Sequence, residues 1–325
     1  MPAEFFSGMK NLQILDLSNN GKLNTLPDSL GNLIELATLK LNNCVHLITL
    51  PQSTSKLCSL RQLENEGCRG LRGMPSGIGQ GLSRLEKLSM WPLLCGSGGS
   101  ENNIEELRGL RLLRGSLHIR TTGVAHHIDD VEKEPPSNIE ELVIGRYGGR
   151  RFPEWMEKMR SFPRLRRIKF AFMWNVEEWG LNWRHKEKEG EECFPSLQHL
   201  KIRTCWNLKA LPQELGNLTS LETLSIRQCY ELVSVPQLQL HLMTSLKKLV
   251  ISVCPKLKFV FHGLRHLTSL QYLSIRDCPG VEIPKGELDQ LVALRGSSFL
   301  YYIDKELIRD QDPTIPETSG KQVLD

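Results

Sequence analysis

LKIRTCWNLKALPQELGNLTS, residues 200–220, decides the fold of this 325-residue chain. A cysteine, Cys205, follows an alternating Leu-x-Ile run, and a Leu-Pro pair follows the cysteine. Nearly the same phrase returns at a shift of about 24 residues. Leu197, Leu200, Ile202 and Cys205 recur as Leu221, Leu224, Ile226 and Cys229. They recur again as Leu246, Leu249, Ile251, Cys254 and as Leu270, Leu273, Ile275, Cys278. Toward the N-terminus the phrase reads Leu12, Leu15, Leu17, Asn20, and next Leu36, Leu39, Leu41, Cys44. A third copy, Leu60, Leu63, Asn65, Cys68, carries a polar residue in the third apolar slot. Leu85, Leu88 and Met90 open a fourth. Ile139, Leu142, Ile144 and Leu165, Ile168, Phe170 are weaker copies, and GSLHI at 115–119 reads as a further strand.

The template L-x-x-L-x-L-x-x-N/C at this period is the leucine-rich-repeat signature. Alternation makes a short strand with one buried face. One repeat cannot bury that face alone, whereas stacked repeats share a core. The expected fold class is an α/β-repeat solenoid, a horseshoe with a parallel inner sheet and an irregular, mostly non-helical convex side. About eleven strands at roughly 4.8 Å each would give an inner sheet about 48 Å long. The residue at the Asn/Cys slot ends the strand and turns the chain inward. Asn meets backbone groups that have left the sheet, and Cys fills the same slot as a small, weak donor. Asn20, Cys44, Cys68, Cys205, Cys229, Cys254 and Cys278 are therefore a structural ladder of reduced, buried side chains. The pairs Leu26-Pro27, Leu50-Pro51 and Leu211-Pro212 fall on the returning convex side, where proline needs no ladder partner.

The rhythm divides the chain into repeats over 1–94, an irregular interruption over 95–137, repeats over 138–290, and a cap and disordered tail over 291–325. SSFLYYIDKELIRD in the last segment is expected to form a terminal helix. A second break, 173–192, mixes tryptophans with charge. Its Trp174, Trp179 and Trp183 are expected to pack the loop onto the solenoid rather than form a binding platform.

Composition excludes several classes. A net charge of +4 is too mild to argue for nucleic acid by itself. No run reaches the roughly 18 apolar residues of a membrane span, and the N-terminal stretch lacks the apolar core of a signal peptide. No P-loop, G-x-S-x-G or H-E-x-x-H motif occurs. The glycines Gly96, Gly98 and Gly99 lack a following lysine and helix. His126 and His127 beside Asp129 and Asp130 read as a solvated loop, and Glu140 and Glu141 as neighbours on a strand edge rather than an acid–base pair. No enzyme, cofactor or metal is expected. The sequon at Asn217 and the remaining cysteines, Cys58, Cys95 and Cys193, show no shared spacing with the ladder.

Several phrases resemble a known family. PAEFFSGMKNLQILDLSNN (2–20) and LPDSLGNLIELATLKLNNCVHLITLP (26–51) are similar to the opening repeats of plant intracellular immune receptors, the coiled-coil class of nucleotide-binding resistance proteins. IEELRGLRLLRGSLHI (104–119) and NIEELVIG (138–145) resemble that family's irregular central section. EEW (177–179), FPSLQHLKIRTCWNLKALP (194–212) and LTSLQYLSIRDCPGVE (267–282) resemble its last repeats. The resemblance covers residues 2 to about 285, and the tail departs from it. It implies a protein-recognition module of plant defense, cytoplasmic or nuclear. The implied partner is a pathogen effector, a guarded host protein, or a nucleotide-binding module in cis or trans. A repeat-only scaffold or regulator of signalling is the alternative, and a ubiquitin-ligase recruiter would need an adaptor segment not found here.

Side-chain alternation also nominates a surface. In the C-terminal repeats the positions around the inner leucines hold Arg166, Arg167, Lys169, Lys201, Arg203, Arg227, Lys247, Lys248 and Arg276, against only Glu222 and Asp277. The first four repeats place Lys40, Arg61 and Lys87 against Asp16, Glu64, Glu66 and Glu86. A concave surface of one sign focuses potential and attracts the opposite charge. The expected site is a basic concavity that binds an acidic protein surface, with Phe172 and Tyr272 supplying apolar contact. Arg203, Arg227 and Arg276 are expected side by side in one column. RNA is a weaker reading, because few aromatics interleave with the charges.

Overall fold

The computed structural model describes residues 2–94, 104–122, 138–152, 163–179, 194–235, 242–295, 299–304 and 308–309. Cys95, Cys193, Trp183, the glycines at 96–99 and the His126–Asp130 cluster lie outside them. The chain divides into two compact units, Met1–Met173 and Trp174–Asp325.

The first unit holds strands β1 (Ile14–Asp16), β2 (Thr38–Lys40), β3 (Gln62–Glu64) and β4 (Lys87–Leu88), followed by β5 (Met90–Leu94), β6 (Gly115–Thr122), β7 (Ile139–Gly145) and β8 (Arg167–Ala171). All pairings are parallel, and the register sets template leucine against template leucine: Leu15, Leu39, Leu63 and Leu88 form one rung line. Leu39, Leu63 and Leu88 are buried, each worth about 2 kcal/mol of burial. β4 pairs with β3, and β5 pairs with β6, so the sheet changes hands at Ser89. Asn65 bridges the gap: its amide exchanges two hydrogen bonds with the backbone of Met90.

The convex side of this unit carries short 3-10 turns, Asp28–Asn32 and Gln52–Lys56 after the two Leu-Pro pairs, and Ile104–Gly109. Consecutive turns come very close. A Cβ built on Gly81 would stand 1.9 Å from the Ser55 carbonyl oxygen, so only glycine fits there. At the open N-terminal end Phe6 is buried and its N–H donates to Ser29 Oγ, while Phe5 and Met9 stay exposed. Leu12, Leu15 and Leu17 are only half-buried, so the cap over the first repeat is partial.

The second unit holds β9 (His199–Arg203), β10 (Thr223–Arg227), β11 (Lys248–Ser252), β13 (Tyr272–Arg276) and β15 (Leu300–Ile303) in one parallel run. A small parallel sheet of β12 (Phe259–Val260), β14 (Val281–Pro284) and β16 (Ile308–Arg309) lies on its other side. Among the described residues the one α-helix of the first unit is the single turn α1 (Ile78–Gly81); in the second, helix α2 (Lys285–Arg295) precedes β15 and buries Leu288 and Leu291. The terminal helix expected over SSFLYYIDKELIRD is therefore corrected. The helix comes earlier, and Leu-Tyr-Tyr-Ile forms a strand, because aromatic and β-branched residues fit the pleated face of a sheet.

One feature repeats at nearly every strand exit. Asn19, Asn43, Gly67, Arg146, Phe172, Thr204, Gln228, Val253 and Asp277 all have φ between +54° and +75°. A left-handed residue there turns the chain off the sheet, and the next side chain drops into the interior, except in the first repeat, where the partial cap leaves Asn20 exposed and corrects the expectation of a buried ladder residue there. Those next residues are Asn20, Cys44, Cys68, Tyr147, Met173, Cys205, Cys229, Cys254 and Cys278. Tyr147 and Met173 hold the slot in the repeats of β7 and β8, although neither matches the Asn/Cys template.

Candidate functional site: the strand-exit column and its thiol ladder

The ladder cysteines are all buried and unbridged. In the first unit each thiol reaches back one repeat: Cys44 Sγ donates to the Leu17 carbonyl at 3.1 Å and Cys68 Sγ to the Leu41 carbonyl at 2.9 Å. Asn20 Nδ2 donates to the same Leu17 carbonyl at 2.9 Å. In the second unit each thiol turns to its own strand exit. Cys205, Cys229, Cys254 and Cys278 donate to the carbonyls of Arg203, Arg227, Ser252 and Arg276 at 3.6, 3.6, 3.5 and 3.1 Å. Burial pushes the Cys68 thiol up to about 11. A hydrogen bond with the Cys229 thiol, with burial added, pushes Cys254 up to about 12. Cys229 and Cys278 are raised in the same way by their ladder neighbours. The ladder is a row of neutral thiols that pins the backbone from which the exit side chains project.

Those exit side chains form the outer column. Arg203 pairs in register with Arg227, Arg227 with Ser252, and Ser252 with Arg276. The expectation of three adjacent arginines is corrected: each parallel strand contributes one residue, and the strand between the second and third contributes Ser252. The N–H groups of Thr204, Gln228 and Val253 continue the ladder to the carbonyls of Arg227, Ser252 and Arg276 at 2.9, 2.9 and 3.0 Å.

The other nominated residues sort by neighbour. Lys201 stands exposed on the same face of β9, and neither it, Arg203 nor Arg227 has an acidic partner among the described residues. Lys247 sits one residue ahead of β11 and is bridged to Glu222 at 3.0 Å. Lys248 lies over the Tyr272 ring at 4.4 Å, and Arg276 over the Tyr302 ring at 4.9 Å. The two rings are 5.7 Å apart, so aromatics interleave with cations at this end more than the sequence reading allowed. In the first unit Arg166 precedes β8, Arg167 is paired with Glu141 at 3.3 Å, and Lys169 is half-buried. Glu140 is the bulged residue between β6 and β7, which frees Glu141 to meet that arginine. Phe172 is exposed, but it occupies the left-handed exit position rather than the strand face.

The N-terminal repeats present a different surface. Lys87 is bridged to Glu64 at 2.7 Å, Asn42 donates to the same carboxylate at 3.0 Å, and Glu86 is held by Arg61 and Arg114. Among the described residues no group of three or more His, Cys, Asp or Glu side chains could hold a metal ion. No helix among them is long and apolar enough to cross a membrane.

Internalin InlF of Listeria monocytogenes has the same architecture, with a TM-score of 0.55 over 95% of this chain and 84% of its own at 13% identity. The fold is a leucine-rich-repeat solenoid. The leucine-rich-repeat domain of the type III effector XopL is also similar, at 21% identity over 70% of this chain and 73% of its own, with a TM-score of 0.47. By sequence, residues 131–187 of the solenoid match the family described as R13L1/DRL21 LRRs, and residues 1–45 match the general leucine-rich-repeat family. No curated protein matches the chain.

Proposed function

We propose that this solenoid is a protein-recognition module of plant defense whose basic strand-exit column captures an acidic surface on a pathogen effector or a guarded host protein. The observation that carries the reading is the Arg203–Arg227 pair. Two exposed guanidinium groups stand in register on neighbouring strands without a carboxylate. Like charges directly opposite one another destabilise a sheet, and a bound anion removes that repulsion. The N-terminal face, by contrast, already neutralises its charges in pairs. The match to the R13L1/DRL21 repeats supports the defense role, and repeat solenoids use such extended faces for binding. The module works in a cytoplasmic or nuclear setting, where its thiols stay reduced.

The test is a pull-down of candidate effectors and of a matching nucleotide-binding module by the whole chain and by the Arg203→Glu, Arg227→Glu double variant. An association whose on-rate falls in the variant, with a difference that shrinks as salt is added, is the expected result. Equal binding by a folded variant would remove the column from the interface.

A further inference from the structure

A second row runs beside the arginine column, one position past the thiol ladder. Trp174 follows Met173, Trp206 follows Cys205 and Tyr230 follows Cys229. Their ring centroids are 6.2 and 6.4 Å apart, at tilts of 46° and 50°. Trp206 is 44% exposed and Tyr230 40% exposed, so neighbouring rings in this row open an apolar patch to solvent. Trp206 and Tyr230 each stand three positions after an arginine, Arg203 and Arg227, so these rings and guanidinium groups flank the same turns, while Ala171 holds that place before Trp174. On the far side lie neutralised pairs, Lys209 with Glu177 at 2.8 Å and Lys256 with Glu231 at 2.6 Å. The strip is thus apolar along its length, cationic on the side of Arg203 and Arg227, and charge-neutral on the other.

We infer that Trp174, Trp206 and Tyr230 form a docking strip for an extended acidic peptide, which rests an apolar side chain on the rings and sets its carboxylates on Arg203 and Arg227. This rests on the proposal that the arginine column binds an acidic protein. The one-sided charge selects the occupant. A single-stranded nucleic acid also stacks on aromatic rows, but it needs cations along its whole backbone, and the lysines of the far flank, Lys209 and Lys256, are already bridged to Glu177 and Glu231. A peptide places its carboxylates where its sequence puts them. Alternate residues of an extended chain lie about 6.6 Å apart on one side. That spacing suits two guanidinium groups rooted on strands roughly 4.8 Å apart.

The experiment uses the whole chain against an array of labelled decapeptides with a fixed Glu-x-Glu and varied flanks, plus oligouridylate, read by fluorescence anisotropy. Expected is selection of peptides with a large apolar residue within a few positions of the glutamates. Trp206→Ala with Tyr230→Ala weakens these about tenfold or more and leaves polar-flanked Glu-x-Glu peptides unchanged, while Trp206→Phe restores part of the loss. Arg203→Glu with Arg227→Glu weakens both peptide classes. Unchanged urea midpoints in the aromatic variants show that the fold is kept. Absence of apolar selection, or no effect of the aromatic variants, overturns the strip; the arginine column then stands or falls separately on its own variant. Oligouridylate binding tighter than any peptide and lost in the aromatic variants overturns the assigned occupant.

Discussion

Asn65 and Met90 grip each other through two hydrogen bonds. Asn65 Nδ2 donates to the Met90 carbonyl at 2.8 Å, and the Met90 N–H donates to Asn65 Oδ1 at 2.9 Å. Asn65 stands where the template asks for an apolar residue, and it is fully buried. Its amide imitates a strand's donor and acceptor at the place where the chain passes from β4, paired with β3, to β5, paired with β6. Asn65→Leu restores the template but strands both Met90 groups. We expect a loss of about 2 kcal/mol by urea unfolding, and a larger loss for Asn65→Asp, whose carboxylate faces the Met90 carbonyl.

Val253 is a β-branched residue at φ 57°, where its Cβ crowds the backbone. Asn19 and Asn43 occupy the equivalent joint in the first repeats. Val253→Asn should raise stability by about 1 kcal/mol. The variant must keep the N–H, which donates to the Arg276 carbonyl at 3.0 Å, so Val253→Pro should destabilise.

The thiol ladder makes stability fall in alkali. Folding holds Cys68 at about 11 and Cys254 at about 12, above the usual 9.0 of a free thiol. The folded state therefore keeps its protons where the unfolded chain releases them. The stabilisation is complete below about pH 9 and is lost as pH climbs through the folded values. Urea midpoints measured from pH 8 to pH 11 should drop, and the drop should be smaller in Cys68→Ala with Cys254→Ala. In native protein at pH 8 Cys58, which is exposed, should be alkylated well before the six ladder thiols of the described residues.

Gly81→Ala puts a methyl group 1.9 Å from the Ser55 carbonyl oxygen, a contact that only backbone movement relieves. Overpacking of this kind costs about 1–3 kcal/mol. Gly8→Ala, which meets nothing within 4 Å, should change the urea midpoint little and serves as the control.

In the first repeat Ile14 on β1 is 62% exposed, and Phe5 and Met9 are exposed as well. An unpaired apolar edge invites association. Sedimentation should show self-association that rises with concentration and is reduced by Ile14→Lys. A wild-type chain that stays monomeric at high concentration would count against this end as a sticky surface.

The stacking of the fold was legible because burial imposes a period: a leucine out of step would face water, and the matched rungs Leu200, Leu224, Leu249 and Leu273 show that step kept. The slots of Tyr147 and Met173 are not legible in the sequence because a left-handed joint, not a residue type, defines them. The strand at 300–303 does not follow the sequence rhythm because its spacing from Leu273 is longer than the repeat, leaving room for α2. The aromatic strip stands one place after Met173, Cys205 and Cys229, a repeat apart in sequence, whereas Trp174, Trp179 and Trp183 lie close together in one stretch. Trp179 is in fact buried, and the partners of Trp174 come from the next repeats. Ion pairs such as Arg167 with Glu141 depend on a bulge that no periodicity announces.

Arg203, Arg227 and Ser252 project outward from a backbone fixed by their own carbonyls and by the thiols behind them. Each is a single letter in an alphabet that the core does not read. A lineage can respell that column one repeat at a time, exchanging a cation for a hydroxyl or an acid, while every leucine beneath stays in place. The surface is then inherited as text and the solenoid as paper.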